Sequence, residues 1–294
     1  MLEQLLVVTT TAEDLSAVED AYTRHLHYCV IDRAAVSPAL ARAWAAPGMA
    51  GRASLLLEPM TGKAVHLRFV ESPRIPGYAP LTTWGWNSTE ILVDDPDALA
   101  DALHGSPFRV IGAPAALSAN AAVRAMQVVG PADEVLYLTR IPPGQSAFGL
   151  GSAEATVDRV FIVVAGGPDV EALRGFYHDV LDMEVTPAMP ATVEVLSDAH
   201  GLPRAQQHPM AVVRLPRDFL VELDGYPDTA GPRPTRDGEL PPGMASVAFR
   251  ACAIPAGAGV RPEPGIAVDD PPYAGARVTL LRGAAGERIE LVSS

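Results

Sequence analysis

The chain has 294 residues, with 22 Lys and Arg against 35 Asp and Glu, which gives a formal net charge of −13. This balance argues against a nucleic-acid binder or a protein that docks on anionic membrane, because both need a basic face. Hydrophobic residues make up 48%, as in globular proteins, and no apolar run is long enough to cross a bilayer. Two lone cysteines and an N-terminus without a basic, then apolar, leader favour a cytoplasmic protein with reduced thiols.

The chain begins with a strand and a helix that recur later at an offset of 155 residues. A short apolar run, LLVVT, predicts a strand, and the residues after it have the 3, 4, 4 spacing of one helix face. These residues, with their counterparts in the second copy, are Leu15 and Val170, Val18 and Leu173, Tyr22 and Tyr177, and Leu26 and Leu181. Thr11 is a candidate N-cap of the first helix, and Pro168 suits the first turn of the second.

The rest of each copy also matches in order. In the first copy, strands are predicted at AVHLRFV, WGWNSTEILVDD and EVLYLTRI, with a helix from Asp95 to Leu103. In the second copy, FLVELDG, PGMASVAFRACA and ERIELVSS repeat the strands, but AIPAGAGVRPEPGIAVDDPP is too rich in Pro and Gly to predict the matching helix. The sequence therefore predicts an N-terminal domain over 1–143, a Pro/Gly/Ser-rich linker over 144–154 and a C-terminal domain over 155–294.

The stretch VDRVFIVVAGGPDVEALRGFYHDVLDMEV, a strand and then a helix ending in FY-x-x-V-L, resembles the opening signature of the vicinal oxygen chelate superfamily. The tail GERIELV resembles its closing strand. This superfamily includes glyoxalase I, the bleomycin-resistance proteins and the type I extradiol dioxygenases. The resemblance covers nearly the whole chain. It implies an α+β fold of tandem domains, each built of paired βαβββ modules with a curled mixed sheet around a cavity.

The resemblance also implies four metal-ligand positions in each copy, since active members hold one divalent metal between four strands. In the first copy these positions carry Gln4, His66, Ser88 and Tyr137, and in the second they carry Arg159, Glu222, Ser246 and Glu290. The second set is a degenerate site, because it has lost both nitrogen donors. An arginine cannot ligate a metal, so the Arg159 guanidinium is expected to replace the cation and neutralise Glu222 and Glu290. Extradiol dioxygenase activity, which needs His, His and Glu there, is disfavoured.

The first copy carries polar residues that strand alternation turns toward the cavity. His66 and Arg68 share one strand face, and Ser88 and Glu90 share another. Three alternatives remain open. Gln4, His66 and Glu90 could bind a divalent metal; or His66 and Glu90 could act as a general base pair with Tyr137 as proton donor. In the third, Glu90 pairs with Arg68, and His66 is a neutral residue of the cavity wall. The cofactor prediction is therefore none or one divalent metal.

Two further groups of residues are candidates for contact with a ligand. Trp84 and Trp86 flank Gly85; one is expected to close the core and the other to stack on a planar ligand. Gln4, Ser88 and Trp86 are the predicted substrate contacts, beside His66, Glu90, Tyr137 and Arg68 as catalytic candidates. His200 and His208 lie in a Pro/Gln-rich segment that could cap the second cavity.

Together these features favour a small-molecule enzyme over a protein that binds macromolecules. The favoured hypothesis is a glyoxalase-like isomerase or lyase that acts on an enolisable or aromatic catabolic intermediate, with its active site in the N-terminal domain and Tyr137 or Arg68 stabilising an oxyanion. The alternative is a metal-free binding protein of the bleomycin-resistance kind, and a third possibility is a catalytically silent partner of another enzyme. The expected partners are a small-molecule ligand and a second copy in a homodimer.

Overall fold

The computed structural model of the protein describes residues 2–63, 65–117, 120–146, 148–216, 218–252 and 265–293. The first module comprises β1 (Leu2–Ala12), α1 (Leu15–His25), β2 (Tyr28–Ala35), α2 (Pro38–Ala43), a 3-10 turn (Pro47–Met49), β3 (Ala53–Pro59) and β4 (His66–Glu71). The second comprises β5 (Gly85–Val93), α3 (Pro96–Ala102), β6 (Arg109–Leu117), β7 (Asn120–Val129) and β8 (Val135–Arg140).

The second half of the chain repeats this order. The third module comprises β9 (Val157–Gly167), α4 (Val170–Gly175) with a following π-helical turn (Phe176–Val180), β10 (Glu184–Val185), β11 (Met189–Thr192), α5 (Glu194–Ala199), β12 (Gln207–Leu215) and β13 (Phe219–Gly225). The fourth comprises β14 (Met244–Ala251), β15 (Ile266–Ala267), β16 (Arg277–Arg282) and β17 (Arg288–Ser293). The helix that the sequence pattern left unassigned would fall largely on 253–264, outside the described residues.

The repeated helices begin at aspartates in equivalent positions. The Asp14 carboxylate accepts hydrogen bonds from the backbone of Ser16 and Ala17, and Asp169 does the same for Glu171 and Ala172. Thr11 and Pro168 were the wrong choices, because Thr11 is still part of β1 and Pro168 lies before the Asp169 cap, outside the helix. An aspartate cap satisfies backbone N–H groups that the first helical turn leaves unpaired.

Strand pairing crosses between the two halves of the sequence. In the described part of the chain, sheet one has eight strands in the order β15-β16-β17-β14-β1-β4-β3-β2. Sheet two has nine, in the order β10-β12-β13-β9-β5-β8-β7-β6, with β11 beside β12. Sheet one therefore joins the first and fourth modules through the antiparallel pair β1–β14, and sheet two joins the second and third through β5–β9. The expected tandem modules with curled mixed sheets are present, but each sheet draws strands from both halves. The boundaries 1–143 and 155–294 remain a prediction.

A buried tyrosine–glutamate pair marks the duplication inside the core. Tyr22 on α1 donates its hydroxyl hydrogen to Glu134 Oε1 at 2.8 Å, and the same carboxylate accepts the Ala132 N–H at 2.7 Å. The equivalent residues in the second half are Tyr177 and Glu287, both buried. There the Tyr177 hydroxyl and Glu287 Oε1 have no hydrogen-bond partner within the described residues.

This difference between the copies gives a matched pair of variants. We expect Tyr22→Phe to lower the free energy of unfolding by about 1–2 kcal/mol, because Glu134 loses a buried donor. Tyr177→Phe is expected to change it by less than about 0.5 kcal/mol, since that hydroxyl makes no bond in the described structure. Urea unfolding of both variants measures the two changes, and equal losses would contradict the assignment.

Candidate functional site

Each sheet curves around a concave face, and a short helix lies over each one. Over sheet one, α2 and Trp44 pack on Val7, Val70 and Ala248, which belong to strands from both ends of the chain. Over sheet two, α5 packs through Val195 and Leu196 on residues of β7 and β8. The two helices occupy equivalent places in the repeat, because α2 lies between β2 and β3 and α5 lies between β11 and β12.

A buried carboxylate on sheet one is saturated by hydrogen-bond donors. Glu290 Oε1 accepts from Trp44 Nε1 at 2.9 Å and from Ser246 Oγ at 2.6 Å. Its other oxygen, Oε2, accepts from the Tyr273 hydroxyl at 2.5 Å. Burial and the neighbouring Glu290 carboxylate hold the pKa of Tyr273 far above its usual value, so the phenol keeps its proton.

The cation of this cluster is Arg68. Arg68 is buried, with only 2% of its surface exposed. Its Nη1 donates to the Tyr273 hydroxyl at 3.1 Å, and its Nη2 donates to the carbonyl oxygen of Pro271. The guanidinium carbon also lies 5.7 Å from the centre of the Trp44 ring and 5.0 Å from that of Tyr273. Tyr273 therefore links Arg68 to Glu290, accepting from one and donating to the other.

These contacts do not fit a metal. A divalent cation at Glu290 would have to displace the Trp44, Ser246 and Tyr273 donors, and it would meet the positive charge of Arg68. Within the described residues, no group of three or more His, Cys, Asp or Glu side chains is arranged to hold a metal ion. The concave face of sheet one is instead filled by two aromatic rings and an internal polar network.

Arg159 does not neutralise Glu222 and Glu290 as the sequence suggested. Its guanidinium lies 3.7 Å from the Asp158 carboxylate and 3.9 Å from that of Asp218. Glu290 is out of reach because it lies on sheet one, whereas β9, which carries Arg159, is in sheet two. Glu222 lies on β13 beside β9, but in register with Val164 instead of Arg159.

The predicted grouping of Gln4, His66 and Glu90 is also wrong, since β1 and β4 belong to sheet one and β5 belongs to sheet two. Gln4 lies opposite Arg250 on β14. His66 shares its strand face with Arg68, as expected, and its Nε2 is 3.7 Å from Glu58 Oε2. Burial lowers the pKa of His66, so its imidazole is neutral near pH 7.

Sheet two carries three carboxylates that are buried or half-buried, Glu90, Glu222 and Asp224. Glu90 on β5 is in register with Tyr137 on β8, and Glu222 and Asp224 lie two residues apart on β13. The Thr139 hydroxyl donates to Glu90 Oε2 at 3.0 Å. Asp224 Oδ1 is buried without a hydrogen-bond partner among the described residues. We refer to Glu90, Glu222 and Asp224 as the acidic cluster. Sequence reasoning missed Asp224, although it shares a strand face with Glu222.

The acidic cluster has strongly perturbed proton affinities. Burial raises the pKa of Glu90 to about 7, and the Thr139 hydrogen bond opposes this rise. Burial and then repulsion from Glu90 raise the pKa of Asp224 to about 7. Burial, Asp224 and Glu90 raise the pKa of Glu222 well above its usual value. Within the described residues, none of the three carboxylates lies within 4.0 Å of a lysine, arginine or histidine nitrogen. Carboxyl groups of this kind can give and take protons near neutral pH.

The remaining candidates, Trp86 and Ser88 on β5 and Tyr137 on β8, lie on the same two neighbouring strands as Glu90 and its partner Thr139. Burial and the nearby Asp224 and Glu222 raise the pKa of Tyr137 well above its usual value, so its hydroxyl is a donor at neutral pH. Ser88 is buried, in register with Val135 on β8. Trp86 is the tryptophan that closes the core, and its indole nitrogen donates to the Arg288 carbonyl at 2.7 Å.

Two histidines hold the α5 segment over the concave face. His200 Nε2 lies 3.0 Å from the Leu81 carbonyl oxygen, and its Nδ1 lies 2.7 Å from the Thr229 hydroxyl. His208 Nε2 lies 3.0 Å from Ser197 Oγ on α5. Because the Leu81 carbonyl can only accept, the Nε2–H tautomer of His200 donates to it. These contacts make the segment a cover over the acidic cluster side of sheet two.

The buried carboxyls predict a definite pH dependence of stability. In the folded chain the pKa of Glu90 rises from 4.5 to about 7, so its protonated form is favoured by folding. That stability is fully present below the unfolded pKa and is lost as the pH rises through about 7. We expect the free energy of unfolding to fall between pH 5 and 8, with a ceiling of about 3 kcal/mol per carboxyl.

Urea unfolding across that range measures this fall, and Glu90→Gln should flatten part of it, because glutamine does not titrate. A stability that rises steadily from pH 5 to 8 would contradict the raised pKa values.

Comparison with known proteins rests on structure. No family model matches the chain, and no curated protein matches it in sequence. Glyoxalase I from Zea mays is similar, with a TM-score of 0.63 and 14% identity over 99% of this chain and 92% of that one. A putative dioxygenase from Bacillus subtilis subsp. subtilis str. 168 also has a TM-score of 0.63, with 11% identity over 99% of this chain and 85% of that one.

No described helix is long and apolar enough to span a membrane. The crossed sheets and these full-length matches show that the chain has a glyoxalase-like fold.

Proposed function

We propose that the chain is a glyoxalase-like isomerase or lyase that moves a proton on a small enolisable or aromatic molecule bound over sheet two. The observation that carries this proposal is the acidic cluster, whose buried carboxyls have raised pKa values, about 7 for Glu90 and Asp224, without a cationic partner within 4.0 Å among the described residues. Structural ion-pair networks also perturb the pKa values of carboxyls in proteins, but no cation lies within 4.0 Å of these carboxylates among the described residues.

The proposed chemistry uses only residues of this cluster. Glu90 takes a proton from carbon next to a carbonyl group, and the Tyr137 hydroxyl stabilises the negative charge on the resulting enolate oxygen. In an isomerisation of an α-hydroxy ketone, the substrate hydroxyl passes its proton to the enolate oxygen and becomes the new carbonyl, while the protonated form of Asp224 gives a proton to the former carbonyl carbon; Asp224 then regains the proton that Glu90 took. In a lyase reaction it protonates the leaving group. His66 has no part in this step, because it lies on the other sheet.

A proton-exchange assay tests this function without knowledge of the natural substrate. The full chain is incubated in D2O with a panel of α-hydroxy ketones, 2-oxo acids and hydroxylated aromatic ketones, and loss of C–H signal is followed by proton NMR. Catalysed exchange that follows the titration of Glu90 supports the proposal. Binding of panel members without exchange above the buffer rate would overturn it.

The alternative is a metal-free binding protein of the bleomycin-resistance kind. It is favoured by sheet one, where Glu290 is occupied by protein donors instead of a metal. In that case ligand would bind over sheet two and stabilise the fold, and Glu90→Gln would alter affinity only. A cytoplasmic location and a homodimer remain predictions of the sequence.

A further inference from the structure

The concave face of sheet one is occupied by a side chain that comes from none of its strands. Residues 268–276 connect β15 to β16, and from this segment the Tyr273 side chain reaches Arg68 on β4 and Glu290 on β17. Tyr273 is only 4% exposed and packs in one hydrophobic cluster with Trp44. The phenol therefore lies on the sheet as a bound aromatic molecule would.

Backbone contacts hold the 268–276 segment in place. The Val268 N–H donates to the Ala276 carbonyl at 3.0 Å, and the Gly275 N–H donates to the Val268 carbonyl at 2.8 Å. At the start of α2, the backbone N–H and the hydroxyl of Ser37 donate to the Asp270 carboxylate at 3.2 and 2.6 Å. None of these contacts uses the Tyr273 side chain, so the segment should keep its place when the phenol is removed.

A donor and an acceptor are placed on either side of the phenol oxygen. Arg68 Nη1 donates to this oxygen at 3.1 Å, and the hydroxyl donates its proton to Glu290 Oε2 at 2.5 Å. The guanidinium carbon lies 5.0 Å from the centre of the Tyr273 ring, within the range of a cation–π contact. A neutral phenol satisfies all three contacts. A carboxylate cannot donate to Glu290, and an aliphatic alcohol has no ring for the guanidinium.

The two charged partners are committed to this occupant. Both described hydrogen bonds of the Arg68 guanidinium go to the 268–276 segment, one to Tyr273 and one to the carbonyl oxygen of Pro271. Arg68 and Glu290 are both buried, and a buried charge is costly unless it is hydrogen-bonded. The sheet thus holds a cationic donor and an anionic acceptor that need a group of this chemistry between them.

We propose that the concave face of sheet one is a phenol-binding site that the chain fills with its own Tyr273 as an intramolecular ligand. A covalently attached phenol is present at a high effective concentration, so free phenols do not enter this face of the unmodified chain. Ligands of the unmodified chain bind elsewhere. The site is separate from the proposed reaction over sheet two and stands whether or not that reaction occurs.

Removal of the intramolecular phenol tests the site in the full chain. Tyr273→Ala leaves the space of one phenol molecule, and titration calorimetry follows the binding of phenol, anisole and benzene as probes. Of the three, only phenol can both accept from Arg68 and donate to Glu290. We expect Tyr273→Ala to gain one phenol site that the unmodified chain lacks, with an affinity at least about tenfold higher than for anisole or benzene.

Two further variants are the controls. Tyr28 is another buried tyrosine of sheet one, only 2% exposed, and its hydroxyl has no hydrogen-bond partner among the described residues. Tyr28→Ala opens an apolar space, so it should take benzene at least as well as phenol. Tyr273→Phe keeps the ring and leaves no space, so it should gain no site for any of the probes.

Thermal unfolding extends the test to a weakly folded variant. Tyr273→Ala should melt below the unmodified chain, and phenol should raise its melting temperature more than benzene does. If the variant is unfolded on its own, phenol should return it to the folded state. Equal binding of phenol and benzene by Tyr273→Ala, the same preference for phenol in Tyr28→Ala, or a Tyr273→Ala chain that phenol neither binds nor refolds would each overturn the proposal.

Discussion

Glu90→Gln is expected to lower the rate of catalysed proton exchange by about 10²- to 10⁴-fold, the range that a positioned general base contributes. Glutamine keeps the shape of the side chain, and its amide can still bond to the Thr139 hydroxyl, so the fold should remain intact. Substrate affinity should change far less than the rate, because the lost interaction acts only when the proton moves.

The pH profile gives this prediction a second readout. In the unmodified chain, kcat/KM should rise as Glu90 ionises and fall as Asp224 loses its proton, and both groups titrate at about 7. The two carboxyls are close enough for the profile to belong to the pair. Glu90→Gln should remove the rising limb.

A matched control lies elsewhere in the core. Glu134 is also a buried carboxyl whose pKa burial raises to about 7, but it belongs to the pair with Tyr22. Glu134→Gln should therefore change stability without changing the exchange rate more than a few-fold. Equal losses of activity in Glu90→Gln and Glu134→Gln would indicate a general loss of structure and would contradict a catalytic role for Glu90.

Arg68→Met is expected to lower the free energy of unfolding by about 3–5 kcal/mol, since it removes the buried cation that Tyr273 links to the Glu290 carboxylate. The Tyr273 hydroxyl would also lose its donor from Arg68. Methionine fills much of the space that the arginine stem occupies, so the loss arises from charge more than from a cavity.

The double variant Arg68→Met/Glu290→Gln separates charge from packing. We expect it to recover more than half of the loss, because neither partner is then an unpaired ion. Arg33→Met, which breaks the exposed pair with Glu19, is the control and should cost under about 1 kcal/mol. Urea unfolding measures all three. A loss below about 1 kcal/mol in Arg68→Met, or no recovery in the double variant, would contradict the linkage through Tyr273.

Local structure could be predicted from the sequence because periodicity reports local geometry. The face shared by Leu15, Val18, Tyr22 and Leu26 is helical, and the strands at His66 and Glu90 have the expected alternation. The strand partners could not be predicted in the same way. Two equivalent repeats can pair within a half or across halves, and the hydrophobic pattern of each strand is compatible with both.

That ambiguity explains the misplaced site. Pairing within halves would bring His66 near Glu90, whereas the observed pairing places Glu222 and Asp224 beside Glu90 and places Arg68 near Glu290. Tyr273 and Trp44 were missed because each lies in a segment between strands, where neither helix nor strand periodicity applies. Their role follows only from the three-dimensional contact with Glu290.

The crossed sheets also set an order for folding during synthesis. Sheet two can close when the chain up to β13 has left the ribosome, since its strands are contiguous from Gly85 to Gly225. The first module is made earliest, yet its central strand β1 must wait for β14, which begins at Met244. The edge of β1 that pairs with β14 therefore keeps its backbone N–H and C=O groups unpaired for most of translation, and the oldest part of the nascent chain is among the last to complete its native pairing.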